Sequence, residues 1–163
     1  MVIPVKSILD SFERNLAFCT RHCEGLSHAD SLLQPEHRGN CLNWVLGHIV
    51  AYRTTILRAL KEQPGVGEAH WSRYAYGSEP VLADGGDLLS LEELQALLES
   101  SQATIEKRLK ELDADSLAES VEWLWGEDIS LGEFLVYLCW HESYHTGQTE
   151  YLRQLTGVDD KVI

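Results

Sequence analysis

The segment SLGEFLVYLCWHESYHTGQTEYLRQLTG, residues 130–157, decides the fold class. Apolar residues recur in it at steps of three and four, which is the period of one face of an α-helix. Ser130 and Glu133 form a capping-box pattern at its start, and Gly157 stands where a helix C-terminal cap belongs. We therefore predict a helix over about residues 131–156. The face that the periodicity predicts to be buried comprises Phe134, Leu138, His141, His145, Gln148 and Leu152.

Three earlier segments have the same periodicity and predict three more helices. Pro64 and Gly65 predict the end of the second helix, and the capping-box pair Ser90 and Glu93 predicts the start of the third. Four long helices in a chain of 163 residues predict an all-α fold, a four-helix bundle that forms a single domain over residues 1–163. The three earlier segments cover about residues 4–24, 42–63 and 91–112.

Two long connections between the predicted helices are rich in aromatic residues. Structureless loops of this length are uncommon in compact domains, and aromatic side chains argue against disorder. We therefore expect residues 64–90 and 113–129 to pack on the bundle and to wall a pocket, with residues 121–125 as a short strand or a helical turn. Their aromatic residues include Trp71, Tyr74, Tyr76, Trp123 and Trp125.

The composition excludes several classes of function. The chain carries 13 Lys+Arg against 26 Asp+Glu, a net charge of −13, which repels nucleic-acid backbones and anionic lipid. It has no apolar run long enough to cross a membrane and no signal-peptide pattern at its start. We therefore expect a cytoplasmic protein with reduced cysteines that binds neither nucleic acid nor membrane.

His141 and His145 lie four residues apart on the last predicted helix, so both imidazoles stand on one face, one turn apart. This spacing suits two ligands of one metal ion. It is weak by itself, because a chain with 7 histidines contains about 0.3 such pairs by chance. On spacing alone, two separate core histidines with their own hydrogen-bond partners explain the pair equally well.

The positions of the histidines strengthen the metal hypothesis. His141 and His145 occupy the predicted buried face of their helix, and His48 occupies the buried face of the second helix. A buried imidazole without a partner costs about 1–3 kcal/mol, so three of them facing one core require a shared explanation. A divalent metal ion bound by all three supplies that explanation.

The string HESYH over residues 141–145 also matches the H-E-x-x-H pattern of zinc proteases, in which the Glu is the general base. We reject this interpretation, because such enzymes take a third ligand downstream and only 18 residues follow His145. The longer form of the pattern requires Gly and His where the chain has Gln148 and Tyr151. Glu142 is then either incidental or in contact with a metal-bound water.

The remaining histidines are weaker candidates. His22 between Cys19 and Cys23 suggests a second zinc site, but both cysteines also fit the apolar face of the first helix, where reduced cysteine is a common core residue. The others lie in loop-like sequence, where we expect contact with solvent, although His70 beside Trp71 is a candidate pocket wall. They are His28, His37 and His70.

Two motifs resemble those of the DinB-like family of metal-binding four-helix-bundle proteins. The string NWVLGH over residues 43–48 is similar to the N-W-x-x-x-H motif of the family's second helix. The string HESYHTGQ over residues 141–148 is similar to its last-helix motif, H-x-x-x-H-x-G-Q. The spacing of the motifs and the chain length agree as well, so the resemblance spans most of the chain.

The resemblance implies a four-helix bundle, a homodimer and a metal ion on His48, His141 and His145. Some relatives transfer or isomerise with a low-molecular-weight thiol such as bacillithiol, mycothiol or glutathione, so a thiol cofactor is also implied. Thr146 stands where relatives often have a basic residue. If that residue binds an anionic cofactor, its absence counts against a thiol transferase.

Three neutral imidazoles leave at least one position on the metal open, as in catalytic sites. Among the metals that imidazole suits we favour Zn, Ni or Fe. An acidified water in the open position leads to hydrolysis and a thiolate to thiol transfer. We therefore predict a metal-dependent enzyme, a thiol S-transferase or a hydrolase, acting on a small molecule, with no catalytic residue assigned. The alternative is a non-catalytic metal-binding stress or interaction protein.

Two further expectations concern the surroundings of the metal. Gln148 follows His145 by one turn and either orients a ligand or makes a helix-packing hydrogen bond. Metal binding should weaken below about pH 6, because ligating imidazoles must be neutral.

Overall fold

The computed structural model describes residues 5–123 and 126–158, and the regular elements within them are helices apart from one pair of two-residue strands. Four long helices confirm the predicted all-α fold. The predicted start of the first helix at residue 4 lies outside the described residues, as does Trp125. The elements in chain order are α1 (Val5–Cys23), α2 (His28–Ser31), α3 (Leu42–Ala59), α4 (Glu68–Tyr74), α5 (Leu91–Glu111), α6 (Ala114–Ala118), β1 (Ser120–Val121), β2 (Ile129–Ser130) and α7 (Leu131–Gln154).

Both predicted capping boxes are present. The Ser90 hydroxyl accepts from the Glu93 amide at the start of α5, and the Glu93 carboxylate accepts from the Ser90 amide. Ser130 and Glu133 repeat this exchange at the start of α7. Gly157 follows α7 with a φ of 79°, a left-handed conformation that glycine adopts without steric cost. These contacts are local, so a short sequence pattern is sufficient to predict them.

The end of α3 differs from the prediction. The helix stops at Ala59, four residues before the predicted end at residue 63, so Pro64 and Gly65 do not terminate it. Lys61 takes a left-handed φ of 61°, the amide of Glu62 donates to the Leu57 carbonyl, and the Lys61 amide donates to Arg58. This is a Schellman closure with lysine in the position that usually holds glycine, so the sequence carried no visible signal.

The four long helices form a ring in which each one contacts two neighbours. α1 packs against α5 and α7, and α3 packs against the same two helices. The centre is filled by apolar side chains, among which Phe12, Leu94, Ile105 and Phe134 are almost completely inaccessible. Because α3 and α7 are direct neighbours, polar side chains on their facing sides can meet.

The first long connection covers α3, as predicted. Its helix α4 packs on α3, and residues 41–54 are buried as a result on every side of the helix. Gly47 permits the closest approach, since a methyl group in its place would overlap the ring of Tyr74. Tyr74 is a core residue, whereas Tyr76 is 80% exposed and lines the cavity beside His48.

The second connection packs on α7 through α6 and the strand pair. The strands are antiparallel, with Val121 opposite Ile129, so the part of residues 121–125 that is described begins as a strand rather than a helical turn. Trp123 is half-buried against Phe134 and Tyr137. Among the described residues, no helix has the length and apolar composition that a membrane span requires.

Candidate metal centre

The structure brings together the three histidines that the sequence selects. The Nε2 atom of His141 lies 3.2 Å from the Nε2 atoms of both His48 and His145. The potential ligand atoms of the three all lie within 4.8 Å of one another. Throughout residues 5–123 and 126–158, this is the one group of three or more His, Cys, Asp or Glu side chains with that geometry.

Two of the imidazoles are oriented by hydrogen bonds on their outer nitrogens. His48 Nδ1 donates to the main-chain carbonyl of Tyr74 at 2.7 Å, and His145 Nδ1 donates to Oε1 of Gln148 at 2.7 Å. Since both acceptors are carbonyl oxygens, each Nδ1 carries the hydrogen of a neutral ring. The Nε2 atoms of His48 and His145 therefore present lone pairs toward His141.

Three imidazoles in this arrangement do not satisfy one another. A hydrogen on His141 Nε2 can serve only one of the two lone pairs, so at least one close contact joins two lone pairs. The Nδ1 atom of His141 is buried and has no hydrogen-bond partner in the described chain, whichever ring nitrogen carries the hydrogen. A divalent cation accepts all three lone pairs. Adjacent ligands of a tetrahedral zinc stand about 3.3–3.4 Å apart, so the separations fit.

The site favours neutral imidazoles. Burial, together with the nearby His145, lowers the pKa of His48 to about 3 and that of His141 to about 4. Burial also lowers the pKa of His145, against the opposing effect of its hydrogen bond to Gln148. Because the metal-binding form is the neutral one, the lowered pKa values of His48 and His141 shift the sequence-based expectation of about pH 6 to a lower pH.

Aromatic rings fix the position of the histidines. Trp44 stacks on His48 one turn away along α3, with ring centroids 4.6 Å apart and planes inclined by 17°. Tyr52, one turn further, packs against both His48 and His141. The N-W-x-x-x-H motif thus supplies a candidate metal ligand and the ring that stacks on it.

The histidines border an open cavity of about 700 Å³. One side is the loop between α2 and α3, residues 35–40. The other side is α7, with Tyr144 and Tyr151. A cavity of this size accommodates a small organic molecule.

The predicted buried face of α7 is confirmed for Phe134, Leu138 and Leu152, which are in the core, but not for the polar residues between them. His141, His145 and Gln148 are half-buried and border the cavity, whereas Glu142 and Thr146, one position further along, are buried. The Thr146 hydroxyl donates to the Glu142 carbonyl. Thr146 therefore points into the bundle and does not line the cavity.

Glu142 does not line the cavity and is paired within the core, so its match to the H-E-x-x-H pattern is incidental, which was one of the two alternatives for it. Its carboxylate accepts from Nε and Nη2 of Arg53, each at 2.8 Å, and the two side chains are 4% and 1% exposed. Arg53 also donates to the carbonyl of Leu98 and to Gln102 on α5. This buried ion pair joins α3, α5 and α7. The sequence-based prediction did not include Arg53, although its position among the apolar residues of α3 is a signal that could have identified it.

The remaining candidates do not form a second metal site among the described residues. Cys19, His22 and Cys23 are all buried in the core, and His22 Nδ1 is hydrogen-bonded to the Thr149 hydroxyl at 2.7 Å. This supports the interpretation of both cysteines as core residues. The loop assignments are wrong for two histidines, since His28 begins α2 and His70 lies within α4, both half-buried, while His37 is exposed at the cavity.

The fold and the cluster define a class: helical bundles in which neighbouring helices bring three histidines to the wall of a cleft. The model of the DinB superfamily matches residues 11–149, so the chain belongs to that superfamily. A crystal structure of a conserved protein from Enterococcus faecalis has the same fold, with a TM-score of 0.73 at 16% identity, over 96% of this chain and 98% of that one. No curated protein is significantly similar in sequence.

Proposed function

We propose that the protein is a divalent-metal-dependent enzyme that acts on a small molecule bound in the cleft. The observation that carries this proposal is the convergence of three imidazole Nε2 atoms at the wall of an open cavity. His48, His141 and His145 would hold the metal. Zn, Ni and Fe all suit imidazole ligands.

The reaction class follows from the open side of the cluster. When bound, the metal supplies Lewis acidity, which activates a water for hydrolysis or a low-molecular-weight thiol for S-transfer. The chain's own residues hold the ligand geometry: Tyr74 and Gln148 keep the outer hydrogens on His48 and His145. Because these hydrogen bonds hold the imidazoles in place, one coordination position on the bound metal would stay open.

A purely structural metal fits the site less well. Structural zinc sites enclose the ion with four protein ligands, whereas this group contains three in the described chain. The side left open faces a cavity rather than a packed core. The non-catalytic alternative therefore has no feature of the site in its favour.

Metal analysis tests the proposal directly. We expect one divalent ion per chain in tag-free protein, and loss of stoichiometric binding in His48→Ala and His145→Ala, measured by elemental analysis and by titration calorimetry with Zn²⁺. His70→Ala is the matched control, since His70 lies on α4 away from the cluster. In cobalt-loaded protein, an added thiol should change the visible spectrum. A metal content that is the same in wild type and His145→Ala would contradict the proposal.

We also propose that the protein forms a homodimer through the outer face of α7. Trp140 and Val136 are 60% and 38% exposed on this helix and do not line the cavity, and exposed apolar patches mark interaction surfaces. Sedimentation equilibrium should give the mass of two chains, and Trp140→Glu should lower it toward one. A wild-type protein that stays monomeric at high micromolar concentration would contradict this part.

A further inference from the structure

The charge of the cleft differs from that of the rest of the protein. The chain contains 26 Asp+Glu against 13 Lys+Arg, yet the described residues that line the cavity include no aspartate, no glutamate and no lysine. Arg38 is the lining residue with a permanent positive charge. An acidic protein thus surrounds its cavity with neutral groups and one guanidinium.

Arg38 has no ion-pair partner in the described part of the chain, whereas three other arginines outside the core do. Arg58 pairs with Glu68, Arg73 with Asp87 and Arg108 with Glu62. Arg38 lies in the exposed loop between α2 and α3, beside Gly39. Its five donors are therefore free to bind a ligand, and their planar arrangement matches the two oxygens of a carboxylate.

Four of the other lining residues are tryptophan or tyrosine. Trp44, Tyr76, Tyr144 and Tyr151 contribute to the cavity wall, and such surfaces bind flat or apolar groups with hydroxyls left for orientation. His37 beside Arg38 adds a further hydrogen-bonding group. An apolar wall with one cation at its rim is complementary to a molecule with an apolar body and one anionic end.

We infer that Arg38 is the anion-binding residue of the cleft and that the substrate is a small carboxylate with an apolar or aromatic body. This inference rests on the proposed function, because it assigns a substrate to the same cleft that borders the histidines. The predicted arrangement places the carboxylate on Arg38 and the apolar body along the aromatic wall.

The experiment compares 4-phenylbutyrate with its uncharged amide, 4-phenylbutyramide, as binding probes. In zinc-loaded wild type we expect the acid to bind about tenfold more tightly than the amide, the size of one exposed charge-assisted hydrogen-bonding pair. Arg38→Gln should remove this preference and Arg38→Lys should keep part of it. Arg21→Gln is the matched control, an exposed arginine on α1 that does not line the cavity, and it should keep the full preference.

His145→Ala separates this inference from the metal proposal, because a carboxylate can also bind a metal ion. If Arg38 is the anion site, the acid keeps its advantage over the amide in His145→Ala, whatever that variant's metal content. A preference that survives in Arg38→Gln, or an acid that does not bind wild type at millimolar concentration, overturns the inference. Circular dichroism and zinc content of Arg38→Gln should equal those of wild type, which shows that the variant is folded.

Discussion

Two polar clusters connect α3 to α7, and they differ in how completely their groups are paired. Arg53 and Glu142 are buried, and the guanidinium uses its donors on Glu142, Gln102 and the Leu98 carbonyl. The histidine cluster lies beside it, since His141 precedes Glu142 in α7. Its outer nitrogens on His48 and His145 are paired, but its inner lone pairs point at one another.

This difference in pairing indicates that the two clusters, which join the same pair of helices, have different roles. A buried charge network with all partners in place holds the helices together and has nothing left to bind. A cluster with unshared lone pairs at a cavity is incomplete without a ligand, which is typical of functional sites. His141 and Glu142 are adjacent on α7 but thus belong to clusters with different roles.

The largest expected effect on stability comes from breaking the ion pair between Arg53 and Glu142. Glu142→Leu leaves Arg53 buried and uncompensated, so we expect the free energy of unfolding to fall by about 3–5 kcal/mol, measured by urea denaturation. The double variant Arg53→Met with Glu142→Leu should recover most of this loss, because an apolar pair replaces the ion pair.

The neighbouring residue provides the control for that prediction. His141→Leu should change the stability of the metal-free protein by less than about 1 kcal/mol, since His141 is half-buried and its Nδ1 has no partner in the described chain. Equal losses for Glu142→Leu and His141→Leu would remove the contrast between the two clusters.

The next effect concerns the contact that supports His48. A methyl group at Gly47 overlaps the buried ring of Tyr74, so Gly47→Ala should cost about 1–3 kcal/mol of stability. It should also lower zinc affinity, because the Tyr74 carbonyl accepts from His48. Gly147→Ala is the control: nothing lies within 4 Å of the added methyl, and α7 should gain about 0.5–1 kcal/mol.

The zinc affinity of the histidine cluster should also depend on the hydrogen bond from His145 to Gln148. Gln148→Leu removes the acceptor of His145 Nδ1, and we expect zinc affinity to fall about 10–100-fold while the stability of the metal-free protein stays the same. Gln148→Glu retains an oxygen acceptor and should retain most of the affinity. Titration calorimetry measures the zinc affinity of both variants. Affinities identical to that of the wild type would show that Gln148 makes only a packing contact.

A further test is the pH dependence of the metal-free protein. The pKa of His48 is lowered to about 3 and that of His141 to about 4 by burial, whereas an unfolded chain has imidazole pKa values near ~6.5. The unfolded state therefore binds more protons below about pH 6.5, and stability falls as the pH drops from there toward about 4. Urea titrations should show a smaller fall in His141→Leu. An equal fall in both proteins would contradict these shifts.

Much of the fold follows from local pattern. The capping boxes at Ser90 and Ser130 involve residues three apart, and helical periodicity needs only a few turns of chain, so both could be read directly. The end of α3 could not, because Lys61 adopts a left-handed conformation that sequence usually signals with glycine.

The sequence by itself determined four long helices and selected His48, His141 and His145 as a group. Only the tertiary structure decided that Glu142, rather than its histidine neighbour, enters the core beside Arg53. It also decided that the Tyr74 carbonyl orients His48 and that Arg38 stands at the cleft. The physical reason is that periodicity fixes the angle between side chains on one helix. Which face is buried, and what each polar atom meets there, depends on distances between elements that lie far apart in the chain.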